Sequence, residues 1–162
     1  METTGTRARG ERAEETQYIT FSLADEIYGI EVLKAQEIVG MQKIAHVPHS
    51  MKFMKGVINL RGLVVPLVDM RLKFGLPEKA YGKMNVIVVV RVKTRLIGII
   101  VDSVSDVVSL RGEKIQDTVH FSVNIETDYI SGIAEEQGKL IIILDVDRVF
   151  TDDELNLLDV KG

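Results

Sequence analysis

Residues 56–70 read GVINLRGLVVPLVDM, and residues 132–146 read GIAEEQGKLIIILDV. Laid one on the other, Gly62 falls on Gly138, Val64 on Leu140, Val65 on Ile141, Val68 on Leu144 and Asp69 on Asp145, a constant offset of 76. Each block is an apolar run, a turn with a glycine and a second apolar run, which predicts a β-hairpin. A second pair of segments repeats in the same way. Tyr18–Val39 matches Ile87–Val108 at an offset of 69: Ile19 falls on Val88, Phe21 on Val90, Leu23 on Val92, Gly29 on Gly98 and Ile30 on Ile99. Further along, Ala35 falls on Val104, Ile38 on Val107 and Val39 on Val108. One short insertion separates the blocks. Two copies are too few for a solenoid and predict a duplicated small β unit.

Outward from these blocks the chain punctuates itself. Tyr18–Leu23 alternates, with Tyr18, Thr20 and Ser22 on one face, and predicts a half-buried strand. A turn at Ala24–Glu26 and a strand over Ile27–Leu33 complete a hairpin. Ala35–Met41 reads equally as a strand or a short helix, and Pro48 ends what precedes it. Ser50 suits an N-cap, with Met51–Lys55 as one helical turn closed by Gly56. Val57–Leu60 and Leu63–Val68 flank the turn at Arg61-Gly62. Pro66 lacks an N–H and predicts an edge strand. Asp69 caps a helix over Met70–Phe74, stopped by Gly75. After a link over Leu76–Lys83, the segments Asn85–Val92, Lys93–Arg95 and Leu96–Val101 repeat strand, turn and strand. Residues 111–128 are polar and irregular and read as a long loop. Ile130–Ala134 and Lys139–Val146 form the last hairpin. Thr151-x-x-Glu154 is a capping box that predicts a C-terminal helix. Many short strands with closely spaced turns predict closed barrels, which leave no sheet edge exposed.

Composition narrows the function. The chain has 162 residues, 46% of them hydrophobic, enough for one domain or two small packed subdomains with a real core. Its net charge of −4 argues against a nucleic-acid partner. Its aromatics (Tyr 4, Phe 5) are scattered and not interleaved with a basic stripe. Absence of cysteine excludes disulfides and thiolate metal sites and fits a cytosolic protein. No apolar run approaches the ~18–20 residues that span a bilayer, so no direct membrane insertion is expected. Residues 1–16 are polar with mixed charges and read as a disordered tail.

Catalytic patterns are missing. The sequence has no glycine-rich phosphate loop, no G-x-S-x-G and no H-E-x-x-H, so neither an enzyme nor a cofactor is expected. His46 and His49 bracket Pro48, which breaks the helix that would aim both at one metal, and His120 stands alone. Asp145 and Asp147 are placed on one strand face, and Asp102 and Asp106 on either side of a turn. Val149 occupies the third ligand position of a calcium loop, so turn capping or a solvated position is the better reading for these carboxylates. Met41, Met51 and Met54 suit either an adaptable recognition surface or gap filling in the core. Arg61 is replaced by Gln137 in the second copy, so the repeat does not demand arginine. It reads either as an exposed turn residue or as a guanidinium fork offered to a partner's carboxylates or carbonyls.

Three motifs occur in order: YGIEVLKAQEI from Tyr28, GVINLRGLVVPLVDMR from Gly56 and GIIVDSVSDVVSL from Gly98. Through them the chain, from about Gln17 to Leu158, resembles the CheW family, the coupling proteins of bacterial chemotaxis. The resemblance implies a mainly β fold. Two five-stranded SH3-like β-barrel subdomains would pack together around a shared apolar interface, with short helices and a C-terminal helix. Residues 17–158 would form one internally duplicated domain with intertwined subdomains, between tails at 1–16 and 159–162. The implied function is a non-enzymatic cytoplasmic adaptor, recruited to membrane-associated receptor arrays. It would link the cytoplasmic tip of methyl-accepting chemoreceptors to the regulatory domain of a CheA-type histidine kinase. Carried over by motif, Arg61 is the receptor-contacting arginine, with Gly56 and Gly62 framing its hairpin. Ala35, Glu37, Ile38, Val104 and Val107 would line the receptor groove. The family often has a branched aliphatic residue where this chain has Ala35, which leaves less apolar area there. Kinase contacts are expected at the barrel-end turns, at Asp25 and Glu26 and at Thr94 and Arg95. The nearest rival is an accessory member of the same family, serving a kinase outside flagellar chemotaxis.

Overall fold

The computed structural model describes residues 15–48, 51–116 and 128–159. Within them the order is β1 (Glu15–Leu23), β2 (Glu26–Glu31), a 3-10 turn (Val32–Lys34), β3 (Ala35–Gly40), β4 (Met54–Leu60), β5 (Leu63–Asp69) and α1 (Met70–Lys73). The chain continues with β6 (Val86–Val92), β7 (Arg95–Val101), β8 (Ser103–Arg111), a 3-10 turn (Gly112–Lys114) and β9 (Ile115–Gln116). It closes with β10 (Ile130–Glu136), β11 (Lys139–Leu144), α2 (Val146–Val149) and α3 (Asp152–Leu158).

The strands form two sheets. One has the order β3-β6-β7-β5-β4; the other has β8-β1-β2-β11-β10, with the two-residue β9 added beside β10. The repeat survives in the registers of the hairpins, edge strands and parallel pairs. Ile19 pairs with Ile30 as Val88 pairs with Ile99. Gly29 sits opposite Ile143 in a parallel pair as Gly98 sits opposite Leu67. The bulge between Ala35 and Glu37 recurs where β8 passes from Val104 to Asp106. The bulge between Met54 and Gly56 recurs between Ile130 and Gly132. Each sheet nevertheless mixes the copies. Hairpin β1–β2 of the first copy lies among β8, β10 and β11 of the second, and hairpin β6–β7 of the second lies among β3, β4 and β5 of the first.

Burial follows this exchange. Tyr18, Leu110, Ala134, Ile141 and Ile143 fill one sheet's own interior. Ile58, Leu60, Val65, Leu67, Ile87, Val89 and Ile100 fill the other's. A larger third cluster joins the two, with Ile19, Phe21, Leu23 and Ile30 from one sheet against Val88, Val90, Val92 and Ile99 from the other. Fully burying such a side chain stabilises by about 1.5–3 kcal/mol, so the shared layer is the larger part of the apolar stabilisation. Close approach at the parallel strands explains Gly98: an added Cβ would come within 2.6 Å of Leu67 Cδ2 and 2.9 Å of Ile87 Cγ2.

Several expectations change. Tyr18 and Thr20 are 7% and 3% exposed, so β1 is buried on both faces and not one. β1 starts at Glu15, inside the expected tail, while residues 1–14 lie outside the described residues, as do Ser50, His49 and His120. Ala35–Gly40 is a strand. Met54 and Lys55 belong to β4 and not to a helical turn. Gly56 sits inside that strand with φ 141°. There its missing side chain admits the Ala45 carbonyl, whereas a helix stop needs only a left-handed turn. Pro66 lies in β5, an interior strand, but the parallel register toward β7 begins only at Leu67. Ser103–Arg111 is one long strand, so Asp106 sits inside it, and part of the expected 111–128 loop is a 3-10 turn and β9. Asp145 and Asp147 do not share a strand face: Asp145 caps α2 and Asp147 lies in it. Other readings hold. Asp69 accepts N–H bonds from Arg71 and Leu72 at the start of α1. The capping box Thr151–Glu154 is complete at α3. Leu158 at the end of α3 is 1% exposed, and Asp159 is its C-cap.

Candidate functional site

β3 and β8 occupy equivalent places in the repeat, and each forms an edge of its sheet. A bulge at the start of each strand turns its side chains. Ala35 and Val104 face inward and pack against the shared apolar cluster. Ile38 and Val107 face outward, 43% and 53% exposed. Isolated exposed apolar residues are ordinary. This pair sits at matched positions of two edge strands, which is not a random scatter.

The β4–β5 tip carries Arg61 in the left-handed region, at φ 52°. Asn59 closes the tip by accepting the Gly62 N–H through Oδ1 at 2.8 Å. From there the guanidinium crosses to β3. Nη1 donates to Glu37 Oε2 at 3.1 Å, and Nη2 donates to Glu37 Oε1. Two residues predicted separately for the site are thus one fork-on-fork ion pair, joining the edge strand of the sheet to its outermost hairpin. The Arg61 hydrogen bonds hold the Glu37 carboxyl below the usual carboxylate range. Arg61 remains 70% exposed beyond this pair, so its fork has a free outer side. Gly62 and Gly56 flank it, at φ 90° and 141°.

The expected kinase-facing turns are equivalent hairpins with matched clamps. Ala24 and Lys93 take φ 55° and 57°. The Ala24 N–H donates to Asp102 Oδ2 at 2.8 Å, and the Lys93 N–H donates to Asp147 Oδ1 at 2.8 Å. Each carboxylate also takes a cation, Arg71 for Asp102 at 2.7 Å and Lys34 for Asp147 at 2.8 Å. Burial pushes both carboxyls up, but the cation and the turn N–H outweigh it and hold both below the usual range. Asp25 and Thr94 are exposed at these tips. Glu26 is exposed at the start of β2. Arg95 is engaged within the chain: Nε donates to Asp159 Oδ1 at 2.6 Å and Nη2 to Asn156 Oδ1 at 3.2 Å. The sequence pointed to turn capping for these carboxylates but not to the turns that Asp102 and Asp147 hold, since each lies far along the chain from its turn.

Met54 is in the core, and Met41 and Met51 pack against core clusters, so the gap-filling reading of the methionines holds. His46 is exposed. Among the described residues no group of three or more His, Asp or Glu is arranged to hold a metal ion. No helix among them is long and apolar enough to cross a membrane.

A family profile for the CheW-like domain matches residues 17–154. The chain is 36% identical over 143 residues to Chemotaxis protein CheW of Klebsiella aerogenes, covering 88% of this chain and 86% of that protein. Against Chemotaxis protein CheW of Rhizobium meliloti it is 31% identical over 138 residues, covering 85% and 89%. Among solved structures, the scaffolding protein TtCheW from Thermoanaerobacter tengcongensis is similar, with a TM-score of 0.77 at 31% identity over 83% of this chain and 92% of that one.

Proposed function

This chain belongs to the CheW family, and on that premise we propose that it joins the cytoplasmic tip of methyl-accepting chemoreceptors to the regulatory domain of a CheA-type histidine kinase. It is a chemotaxis scaffold and not an enzyme. A scaffold works by presenting surfaces, and two kinds are present. The receptor surface comprises Ile38 and Val107 on the two edge strands, Ala35 and Val104 at their inner ends, and the Arg61–Glu37 pair. An amphipathic receptor helix lays its apolar stripe along these residues. The outer side of the Arg61 fork bonds polar groups at the helix rim and sets its register. The kinase surface comprises the exposed residues Asp25, Glu26 and Thr94 of the two turns, with the half-buried Arg95 beside them, and the turns are stiffened by the Asp102 and Asp147 clamps. Rigid turns lose little entropy on docking. The protein acts in the cytoplasm at receptor arrays, where repeated weak contacts add through effective concentration.

One observation carries this reading. The outward residues Ile38 and Val107 are matched by the repeat, yet the hairpin tips beside them differ, Arg61 against Gln137. The fold does not require that arginine, which leaves it to a partner. The test is calorimetric titration of the protein with the regulatory domain of a CheA-type kinase and, separately, with a receptor-tip fragment from the same organism. Saturable one-to-one binding to each is expected. A folded protein that binds neither overturns the reading and points to a kinase in another pathway.

A further inference from the structure

The repeat that pairs Glu37 with Arg61 sets Asp106 at the place of Glu37 and Gln137 at the place of Arg61. Their backbones correspond closely. Glu37 lies opposite Val89, and Asp106 lies opposite Thr20, the repeat partner of Val89. Arg61 and Gln137 both sit at a hairpin tip with φ 52°. In one half the guanidinium bridges tip and edge strand. In the other the bridge is missing, and a cavity of about 360 Å³ opens between β8 and the β10–β11 tip. Thr20, Asp106, Val107, Gln137, Lys139 and Ile141 line it.

Asp106 is held there without a cation. Thr20 Oγ1 donates to its carbonyl, and the Asp106 N–H donates back to Thr20 Oγ1, both at 3.1 Å, so the bulge is pinned. The carboxylate accepts the Val107 N–H through Oδ1 at 3.1 Å. Among the described residues no Lys or Arg forms an ion pair with it. Glu136, also on the cavity wall, is already paired with Lys114 at 3.8 Å. Lys139 lines the cavity but does not pair with Asp106. One fixed carboxylate and the apolar walls Val107 and Ile141 suit a guanidinium, whose fork takes the carboxylate and whose stem packs on apolar surface.

We propose that this cavity receives an arginine side chain from the bound receptor tip, which supplies to Asp106 the guanidinium that Arg61 supplies to Glu37 within the chain. The proposal rests on the receptor reading above and names the group that reading lacks. It gives the receptor segment a second register point, on the edge strand opposite the one beside Arg61.

The experiment is a double-mutant cycle by titration. The protein and its Asp106→Asn variant are each titrated with a recombinant receptor-tip fragment, and with the same fragment after every arginine is changed to glutamine. A charge-assisted hydrogen bond predicts a roughly tenfold or greater loss for Asp106→Asn against the arginine fragment. Against the glutamine fragment the variant is expected to match the unaltered protein. Equal losses against both fragments, or no loss, overturn the proposal while leaving the receptor reading in place. No binding of either fragment by the unaltered protein overturns both. A second variant, Gln137→Arg, builds the guanidinium into the chain. It is expected to weaken binding of the arginine fragment, and unchanged binding counts against the proposal.

Discussion

Replacing Gly56 by alanine is expected to destabilise the protein severely, and the size of the effect follows from two separate collisions. The residue sits at φ 141°, a region that side chains rarely adopt, in the middle of β4. Holding a non-glycine residue there costs on the order of 1–3 kcal/mol. The new Cβ would also stand 2.3 Å from the Ala45 carbonyl oxygen and 2.7 Å from Ile44 Cγ2. That oxygen accepts the Val57 N–H at 2.9 Å, and the Ala45 N–H returns a bond to the Val57 carbonyl at 2.9 Å. Moving the Ala45 segment aside breaks both bonds, at roughly 0.5–1.5 kcal/mol each. Together the loss is roughly 2–6 kcal/mol, out of a total stability that for such a domain is about 5–15 kcal/mol. Gly62→Ala is the control. It has φ 90° and nothing within 4 Å of its added Cβ, so it carries backbone strain alone, about 1–2 kcal/mol. Urea unfolding followed by circular dichroism measures both, with the slope checked for constancy. If the two variants lie within about 0.5 kcal/mol of each other, a difference neighbours do not explain, the Ala45 contact is not what demands glycine at position 56. Gly56→Asp adds a charge to the same collision and is expected to be worse.

Arg61→Ala is expected to keep the melting temperature of the parent and to weaken receptor-fragment binding several-fold; unchanged binding by the purified variant removes Arg61 from the site. Ile38→Asp and Val107→Asp, both at outward positions, are expected to fold normally and to lose receptor binding while kinase binding persists, which parallel titrations check. The Asp102 carboxyl lies below its unfolded value, so its stabilisation is present above about pH 4 and is lost as pH falls through the folded value. Asp102→Asn is therefore expected to melt below the parent at pH 7 and to converge on it in acid. A gap that widens below pH 4 refutes the clamp. Thr151→Ala removes half of the α3 capping box and is expected to cost about 1 kcal/mol, read by denaturation and by faster amide exchange in α3.

The repeat made much of the fold legible, because both offsets persist in the hairpin, edge-strand and parallel pairings, down to the two pairs of bulges. The hairpins, the Asp69 cap and the Thr151 box were also readable, since each depends on residues within a few positions. Partner choice between hairpins was not. Periodicity says that β1 and β2 pair, but nothing local says that they join β8 and β11 of the other copy. Gly56 looked like a helix stop because its real reason, the Ala45 carbonyl, approaches from eleven positions away in sequence. Val146 and Asp147 looked like strand because an apolar residue after Leu144 continues the run, whereas the Asp145 side chain starts α2. At the site, Arg61 and Glu37 were each named on a motif, but their union depends on how β3 and the β4–β5 tip meet. Only the barrel geometry carries that, as it carries the clamps at Ala24 and Lys93.

The exchanged hairpins also set a timetable for synthesis. A chain emerging from the ribosome can complete the β3-β6-β7-β5-β4 sheet once Val101 is out. The β1–β2 hairpin gains β8 beside β1 once Arg111 is out, but β11 beside β2 only once Leu144 arrives. At roughly 5–20 residues per second the delay lasts seconds. Throughout that interval Phe21, Leu23 and Ile30, all fully buried in the finished protein, have only one of their two sheets to rest against. The β2 side of this early hairpin is thus seated late, and it is the part most open to capture by a chaperone or by a neighbouring chain.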